Sequence, residues 1–365
     1  NWCRITRSEF FNSCVIFLQC VFQIRHTAFF HKLIIGYFNS VKLIPLKPLD
    51  FQSFQQLQSA FANYDGNLSL GGQSFPFSNI ELSKPTGKYV SRAILRLATI
   101  LGSKGFVQYA GNACSPGLQF PEINEETNLA AGTNSTCGVL IMNVLGTPNL
   151  KGAVTVIAEP FMNLKIQPEW NHFDDYLQAM SSKYRVRTNK VLSTSQAYQA
   201  KELKHTEAND WIPQCAQMLG HTLKDKTLAI SPKLSTMLHT FVRTMKDKFK
   251  VWGYYHDEKL CGFITAIESE HGLYAMHLGL TDDAAEDQLY QRMMYDVIAF
   301  GIEQKDEFVC LGRTATEIKS TMGATPIENS YVLYAKSKLL RGIINVYAKR
   351  FHRVKPYQLR NPFKG

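Results

Sequence analysis

The length, composition and charge of the chain place it among globular proteins with room for two domains. It has 365 residues, of which 45% are hydrophobic and 19% charged, values typical of a protein with an ordinary buried core. The formal net charge is +10, but residues 331–365 carry nine Lys and Arg and no acidic residue, whereas the middle of the chain is slightly acidic. This distribution excludes a fold that is basic throughout. It predicts that phosphate-rich partners meet the ends of the chain.

The first fifty residues have no clear domain pattern. The apolar run 14–22 is interrupted by Gln19 and is shorter than the roughly 20 residues that span a bilayer. The apolar core of a signal peptide is followed by a small-residue cleavage motif, and no such motif follows this run. We therefore interpret residues 1–50 as an ill-defined basic and apolar extension.

The eight cysteines of the chain form no C-x-x-C pair, and no histidine stands near them at zinc-ligand spacing. Several lie in apolar, strand-like runs, where a reduced cysteine behaves as a small hydrophobic residue. The pattern predicts a cytoplasmic protein with reduced thiols and without a structural metal. The basic ends leave open a peripheral contact with a membrane.

Apolar periodicity from residue 51 onward predicts a first lobe over residues 51–200. Helices are expected near 51–61, 91–101 and 170–187, and strands near 105–109, 137–145 and 153–166. Lys183, Arg185 and Arg187 cluster toward the expected C-terminal end of the last helix, where the helix dipole favours cations. Substrate binding by this cluster is the functional alternative to that structural explanation.

A polar stretch around 196–206 predicts a boundary near residue 200, followed by a second lobe over residues 201–335. Its predicted helices are 208–220, 231–247, 286–304 and 317–322, and its predicted strands are 250–255, 260–267, 273–280, 308–311 and 331–335. Alternating helices and strands predict an α/β or α+β fold with a mixed sheet flanked by helices. Residues 336–365 are predicted to form a basic amphipathic helix, near 337–351, and a tail.

Several enzyme classes lack their signatures in this sequence. There is no G-x-S-x-G elbow, no G-x-x-x-x-G-K-[ST] loop, no G-x-G-x-x-G fingerprint and no H-E-x-x-H pair. Together these absences disfavour α/β-hydrolases, P-loop enzymes, dinucleotide-dependent dehydrogenases and zinc proteases.

The order of elements over residues 208–335 and one dense motif resemble a known superfamily. Two helices, a hairpin, a strand, a helix, a strand, a short helix and a strand follow one another as in a GNAT acyltransferase domain. The run F-V-C-L-G-R-T-A-T-E-I-K-S-T-M-G-A at 308–324 is similar to the final motif of FemAB-like aminoacyltransferases of the peptidoglycan-interbridge type. H-L-G-L at 277–280 resembles the strand before their donor loop, and 170–187 looks like their first-lobe signature, in which a basic cluster follows a helix.

This resemblance implies a two-lobed N-acyltransferase, whose first lobe is a degenerate copy of the GNAT fold. The implied donor is an acyl-CoA or an aminoacyl-tRNA, with no metal involved. The implied acceptor is the amino group of a cell-envelope precursor, an amino lipid or a small metabolite. The catalytic candidates are Lys319 as the stabiliser of the oxyanion, Arg313 as an anchor for phosphate or carboxylate, and His277 as the general base.

Each catalytic candidate has a structural alternative. Lys319 could be a solvated lysine of a helix, Arg313 could pair with Glu317 four residues on, and His277 could be a core histidine. The other candidate bases are Glu268, Glu270 and Asp296.

Donor binding is expected where strands lead into helices, because free backbone N–H groups at such junctions bind phosphate. The residues concerned are Gly279, Leu280, Thr281, Asp282, Gly312 and Thr314. For the acceptor, the resemblance points to Lys183, Tyr184, Arg185 and Arg187.

One segment departs from the GNAT pattern. Enzymes of that superfamily that use acetyl-CoA usually carry R/Q-x-x-G-x-G/A after the third strand, whereas residues 281–287 read T-D-D-A-A-E-D. Carboxylates beside a pyrophosphate would repel it. This leaves an aminoacyl-tRNA or a longer acyl carrier as the alternative donor, and a non-catalytic binding module as a second alternative. A third alternative is that the interleaved aromatic and basic residues of 336–364 bind tRNA or an anionic membrane surface.

Overall fold

A computed structural model describes both backbone and side chains over most of residues 150–223 and 234–335 and at 356–364. It also gives the backbone of 66–70, 73–81, 106–110 and 138–145 and a few single positions between 338 and 354. The extension 1–50 and the helices predicted near 51–61 and 91–101 lie outside the described residues. So does most of the helix predicted at 337–351.

The described strands are numbered in chain order. They are β1 Gly66–Leu70, β2 Gln73–Glu81, β3 Phe106–Ala110, β4 Gly138–Leu145, β5 Ala153–Ile157, β6 Phe161–Lys165, β7 Gln199–Glu202, β8 Phe249–His256, β9 Lys259–Glu268, β10 Gly272–Leu280, β11 Phe308–Cys310, β12 Thr325–Ile327 and β13 Asn329–Ala335. The described α-helices are α1 Phe173–Ala179, α2 Ser182–Thr194, α3 Ala208–Leu223, α4 Leu234–Met245, α5 Asp282–Glu286, α6 Leu289–Glu303 and α7 Thr316–Ser320.

A seven-stranded mixed sheet forms the centre of the described fold, in the order β12-β6-β11-β10-β9-β8-β7. Strands β10 and β11 run parallel, and the other neighbours in this sheet are antiparallel. The parallel pair is joined through α6, as a parallel connection requires a crossover. The predicted mixed sheet flanked by helices is confirmed.

A second sheet of six strands has the order β1-β2-β3-β4-β13-β5. Strand β13, late in the chain, lies between β4 and β5, while β6, early in the chain, lies in the seven-stranded sheet between β11 and β12. The two sheets therefore exchange strands across the boundary predicted near residue 200. Sequence periodicity cannot reveal such an exchange, because strand partners are chosen by long-range packing.

Both faces of the seven-stranded sheet are covered. Helices α3 and α4 pack on one face, where the fully buried Phe241 stacks on Phe249 of β8 with ring centroids 5.1 Å apart. Helices α1, α2 and α6 pack on the other face, around Tyr176 and Met293. Truncating a buried aromatic residue such as Phe241 to alanine costs about 3–5 kcal/mol. The site described below therefore rests on a rigid platform.

The helix predicted at 170–187 is in fact two helices. The chain is extended at Met180 and Ser181, so that α1 ends before them and α2 begins after them. Met180 forms a β-bridge with Phe363 from the C-terminal segment, a partner 183 positions away that the local pattern could not indicate. Lys183, Arg185 and Arg187 consequently lie in the first two turns of α2 rather than at the end of a helix. The helix-dipole explanation for their clustering is therefore wrong.

The strand predictions needed correction in two ways. The strand predicted at 153–166 is interrupted at Pro160, which has no N–H for a sheet, and its halves β5 and β6 belong to different sheets. Four described strands, β1, β2, β7 and β12, were missed. All four residues of β7 are exposed, so that its sequence lacks the apolar alternation that marks a half-buried strand.

Candidate active site

The parallel strands β10 and β11 part from each other after a short paired stretch. Their last paired residues are Tyr274 and Cys310. Beyond this point Leu311 and Gly312 stay hydrogen-bonded to Met162 of β6, whereas β10 continues to Leu280 along β9. An opening between two neighbouring strands of a sheet follows, with backbone groups of β10 on one side and the loop after β11 on the other.

A β-bulge lies on the β10 side of this opening, between Ala275 and Leu278. Within it the His277 N–H donates to Thr265 Oγ1 at 3.0 Å, and the Thr265 hydroxyl donates to the His277 carbonyl at 3.3 Å. The His277 side chain is 5% exposed, and its ring centroid lies 5.6 Å from that of Phe241. Such burial beside an aromatic ring is typical of a core histidine, and the role of His277 as a base stays a prediction.

The loop on the β11 side has an unusual backbone. Gly312, Thr314 and Ala315 all have positive φ angles, of 77°, 65° and 48°. For Thr and Ala the left-handed region costs on the order of 1–2 kcal/mol each. Two successive non-glycine residues in this region persist only where the surroundings hold them, so the contacts of this loop matter.

Lys319 of α7 is one such contact. Its side chain is 3% exposed, and its ammonium donates to the Arg313 carbonyl at 2.6 Å. A buried ammonium is costly unless it is hydrogen-bonded, so this bond couples α7 to the strained loop. The alternative of a solvated surface lysine is wrong for Lys319. Nearby, burial raises the pKa of the Cys310 thiol to about 11, which makes that thiol a poor nucleophile.

Arg313 extends from this loop to the junction of the two sheets. Its guanidinium lies over the rings of Phe161 in β6 and Tyr331 in β13, at 5.8 and 5.9 Å from their centroids. It also donates a hydrogen bond to the Tyr331 hydroxyl. Its Nε is buried and has no hydrogen-bond partner among the described residues. The predicted alternative, an ion pair with Glu317, is not found among the described residues; Glu317 accepts a hydrogen bond from the Gln358 N–H.

The acidic segment after β10 is helical rather than an open loop. Within α5 the Ala285 N–H donates to the Thr281 carbonyl, and the Asp287 N–H donates to the Asp283 carbonyl. The Thr281 N–H is bonded to the Cys261 carbonyl at 2.9 Å. Within the segment expected to face a phosphate, the amides of Thr281 and Ala285 are therefore already occupied.

The residues that flank α5 are explained by packing. Asp287 accepts a hydrogen bond of 2.7 Å from the Tyr198 hydroxyl. Gly279, expected at the donor site, faces α3, where an added Cβ would lie 2.8 Å from the Leu219 nitrogen. A close approach of helix and strand is thus sufficient to account for this glycine.

Two of the other candidate bases belong to structural networks. Asp296 accepts hydrogen bonds from the Tyr254 hydroxyl at 3.0 Å and from Arg292 Nε at 2.7 Å, and burial raises its pKa. Glu268 lies 3.8 Å from Lys250, and burial raises its pKa as well. Asp296 belongs to α6 and Glu268 to the far end of β9, away from the opening between β10 and β11.

The predicted acceptor residues lie on α2, which packs with α1 and α6 on the face of the seven-stranded sheet opposite α3 and α4. Four exposed residues at helical spacing form one outer stripe of α2: Lys183, Val186, Arg187 and Lys190. Val186 is 65% exposed. Tyr184 and Arg185 are half-buried, and Arg185 Nη1 approaches the Met180 carbonyl at 3.5 Å. No salt bridge to these cations occurs among the described residues.

The structure thus divides the predicted site residues into three groups. The first group lies in one loop and the helix after it and contains Gly312, Arg313, Thr314 and Lys319. The second group, residues 277–282, lies across the opening on β10 and α5. The α2 cations lie in a different layer. Sequence reasoning missed Phe161, Thr265 and Tyr331, which hold Arg313 and the bulge. No sequence signal could have identified them, because their partners are distant in the chain.

Two further surveys concern the described residues only. No group of three or more His, Cys, Asp or Glu side chains among them is placed to hold a metal ion. None of their helices is long and apolar enough to cross a membrane.

Comparisons with known proteins give similarity at the level of structure. No family model matches the sequence, and no curated protein matches it. Among solved structures, L-PGS from Bacillus licheniformis is 11% identical, with a TM-score of 0.46, 82% of this chain covered and 97% of that chain. FemX is 8% identical, with a TM-score of 0.46 and coverage of 80% and 98%. A GCN5-related N-acetyltransferase from Kribbella flavida is 9% identical, with a TM-score of 0.34 and coverage of 80% and 97%.

The connectivity of the seven-stranded sheet defines the fold independently of these matches. An edge strand, two helices, three antiparallel strands, the crossover helix α6 and a parallel strand that parts from its neighbour follow one another from β7 to β11. This is the expected arrangement of a GNAT domain. The chain has a GNAT-like mixed α/β fold.

Proposed function

We propose that the chain is an N-acyltransferase whose reaction takes place at the opening between β10 and β11. The observation that carries the proposal is the parting of these strands after the Tyr274–Cys310 pair, with a strained, cation-bearing loop on one side. Such an opening gives an extended acyl donor room beside β10, whose pairing with β11 ends at Tyr274, and it places fixed cations beside the carbonyl that is attacked. The fold alone would not support this conclusion, since one fold hosts many functions.

The proposed reaction is the attack of an amine nitrogen on the acyl carbonyl carbon. A C–N bond forms, the bond from the carbonyl carbon to the sulfur or oxygen of the donor breaks, and the amine proton passes through a base to the leaving group. The tetrahedral intermediate carries negative charge on its oxygen, which a preorganised cation stabilises. Lys319 and Arg313 are the proposed cations, and the hydrogen bond from Lys319 to the Arg313 carbonyl supports their acting as one unit.

The proposed donor is an acyl-CoA or an aminoacyl-tRNA. The acidic helix α5 bears on the choice, because Asp282 is 88% exposed in its side chain and lies beside the place where GNAT enzymes bind pyrophosphate. Its charge, and the bonded amides of Thr281 and Ala285, disfavour a diphosphate held by the backbone of residues 281–286. An aminoacyl ester whose phosphates lie farther from β10 fits these observations better.

The proposed acceptor is an amine that also carries negative charge, such as a phosphorylated cell-envelope precursor or an amino lipid. The support is the exposed cationic stripe of α2, formed by Lys183, Arg187 and Lys190, which has no acidic residue in its helix. Lys183 lies in the first turn of α2, where the helix dipole disfavours a cation. Its presence there is more readily explained by an anionic partner than by stability.

The test is a transfer assay with purified protein. Radiolabelled acetyl-CoA, longer acyl-CoAs and a set of aminoacyl-tRNAs are each offered together with amino lipids and peptidoglycan precursors, and amide products are identified by mass spectrometry. We expect an amide product with at least one donor and its loss in the Arg313→Gln variant. Product formed equally well by Arg313→Gln would contradict the assignment of the site.

A non-catalytic binding module is the second candidate. It is favoured by the packing of His277 against Phe241, which leaves the candidate base in the core. A donor or acceptor that stabilises the protein against heat and is never converted would support this candidate and contradict the first.

A further inference from the structure

The last residues of the chain form a strap along α7. We define the strap as residues 356–364. The Gln358 N–H donates to Glu317 Oε1 at 3.1 Å, and the Arg360 N–H donates to Ser320 Oγ, also at 3.1 Å. These bonds occupy one side of α7, while Lys319 projects from the same helix to the Arg313 carbonyl. Helix α7 therefore lies between the strap and the strained loop.

The other end of the strap is fastened to the corner between α1 and α2. The Ser181 N–H donates to the Pro362 carbonyl at 2.8 Å, and the Lys364 N–H donates to the Ala179 carbonyl at 3.1 Å. These two bonds flank the bridge between Met180 and Phe363. The strap thus ties α7 to elements that pack on the rigid face of the seven-stranded sheet.

Phe363 is the side chain that anchors the strap. Its ring lies 5.5 Å from Trp170 and 5.9 Å from Tyr176, centroid to centroid. It also covers Gly323, whose φ is +89° and where any Cβ would overlap the Phe363 ring. Tyr176 completes the contact by donating from its hydroxyl to the Met322 carbonyl at 2.9 Å. The turn that ends α7 is therefore shaped to receive this ring.

We infer that the strap is a positioning element of the candidate active site, with Phe363 as its principal residue. A helix of five residues has almost no stability of its own, so the position of α7 must come from tertiary contacts. The strap supplies such contacts on one side, and the Lys319–Arg313 bond passes the position on to the loop of Gly312, Thr314 and Ala315. The catalytic consequence rests on the proposed function, whereas the structural consequence does not.

The sequence predicts a different use for this segment, as part of a basic tail that binds tRNA or an anionic membrane surface. The apolar and main-chain contacts of residues 356–364 assign the strap to α7 instead. Binding of a polyanion by the cations of 336–355 stays a separate proposal.

Hydrogen exchange on the full chain tests the structural part without any substrate. In Phe363→Ala we expect amides of residues 319–324 to exchange about tenfold faster or more, while those of α4 stay within about twofold of wild type. Leu359→Ala is the matched control, since Leu359 belongs to the same strap and is 43% exposed; it should change neither region. Unchanged exchange at 319–324, or an equal increase throughout the protein, would overturn the inference.

Two further variants separate positioning from folding. Ser320→Ala removes the acceptor of the Arg360 N–H and should also speed exchange at 319–324 while the protein stays folded. Phe363→Leu retains an apolar side chain and should recover most of the protection. Where transfer activity is measurable, the variants with faster exchange at 319–324 should have a lower kcat, while their KM for the donor stays within about twofold of wild type. A fall in kcat with normal exchange would contradict the role of the strap and leave the proposed function standing.

Discussion

The two parallel strands at the candidate site lead into helices in opposite ways. Strand β10 continues directly into α5, where the Ala285 and Asp287 amides are bonded to main-chain carbonyls and the carboxylates of Asp282 and Asp283 face solvent. Strand β11 leads into a loop with two non-glycine residues at positive φ, held by the buried Lys319. One junction is relaxed and acidic, and the other is strained and cationic. Because backbone strain persists at places where the surroundings enforce it, the second junction is the one at which the proposed reaction is expected.

This comparison predicts that the largest effect comes from Lys319. Lys319→Met keeps the apolar stem and removes the ammonium, and turnover should fall roughly 100-fold, the scale of a lost oxyanion stabiliser. Steady-state kinetics and far-UV circular dichroism measure activity and fold. Lys305→Met is the control, because Lys305 is exposed and donates to Asn171 Oδ1. Turnover within about threefold of wild type would show that the cationic junction is not catalytic.

A second prediction concerns the basic C-terminal region, where charge reversal at Lys349, Arg350 and Arg353 should weaken binding to tRNA or to anionic vesicles. Each cation near a charged surface contributes on the order of 1 kcal/mol, so the loss should be at least about tenfold and should shrink as salt rises. Binding isotherms at several salt concentrations measure it. Turnover of a small soluble acceptor should not change. If this variant binds both polyanions with wild-type affinity, the region does not bind them and its charges serve only solubility.

A third prediction concerns Asp306, which precedes β11 at the end of the strand away from the loop. Desolvation, followed by the charge of Glu268, raises the pKa of Asp306 to about 7, so the folded state binds a proton that the unfolded state has lost above pH 4. The contribution of Asp306 to the free energy of unfolding should therefore fall from pH 4 to pH 7 and level off above it. Allowing for partial exposure, this fall should amount to about 1–2 kcal/mol.

Denaturant unfolding across this pH range measures the slope. In Asp306→Asn the fall should be smaller than in wild type, although Glu268, whose pKa is also raised, contributes with the same sign. A rise in stability between pH 4 and pH 7 that is lost in Asp306→Asn would mean that the carboxylate is stabilised by a partner and not penalised by burial.

The acidic junction gives a fourth prediction. The double variant Asp282→Asn, Asp283→Asn removes two exposed charges next to β10, and it should raise affinity for coenzyme A about threefold at low salt, with less effect at high salt. Isothermal titration calorimetry measures the change. Weaker binding in this variant, or a bound diphosphate on the backbone of residues 281–286, would show that α5 is a phosphate site after all.

The smallest expected effect compares one alanine at each junction. Ala315→Gly relieves a positive φ of 48° and should stabilise the protein by about 0.5–1 kcal/mol. Ala285→Gly, in helical backbone of α5, should destabilise it by about 0.5–1 kcal/mol. Both alanines are exposed, so lost side-chain packing contributes little to the change in stability at either position. The same sign for both substitutions would remove the distinction between a strained and a relaxed junction.

The elements that could be predicted from sequence are those with local amphipathic patterns. Helices α3, α4 and α6 and strands β8 to β10 lie close to their predicted bounds, because each buries one face or stripe of apolar residues. The motif at 308–324 also led to the loop that carries Arg313 and to Lys319. These features depend on residues that are neighbours in the sequence.

What sequence could not predict depends on distant partners. The break between α1 and α2 is fixed by Phe363, and the exchange of β6 and β13 between sheets is fixed by pairings across more than 100 residues. The strain of the loop was hidden as well, since Thr314 and Ala315 are not residues that normally adopt positive φ. The burial of Lys319 could not be read from a helix of five residues whose only apolar position is Ile318.

The most direct test of the central claim is a crystal structure with a bound donor analogue. The two probes are a coenzyme A thioether that carries a ketone in place of the thioester carbonyl, and a short RNA hairpin ending in CCA with an amide-linked amino acid. The account predicts that the carbonyl oxygen of the analogue that binds lies between β10 and β11, about 3 Å from a donor group of Lys319 or Arg313. A carbonyl found beside α5 or on the outer stripe of α2, away from the loop after β11, would contradict it.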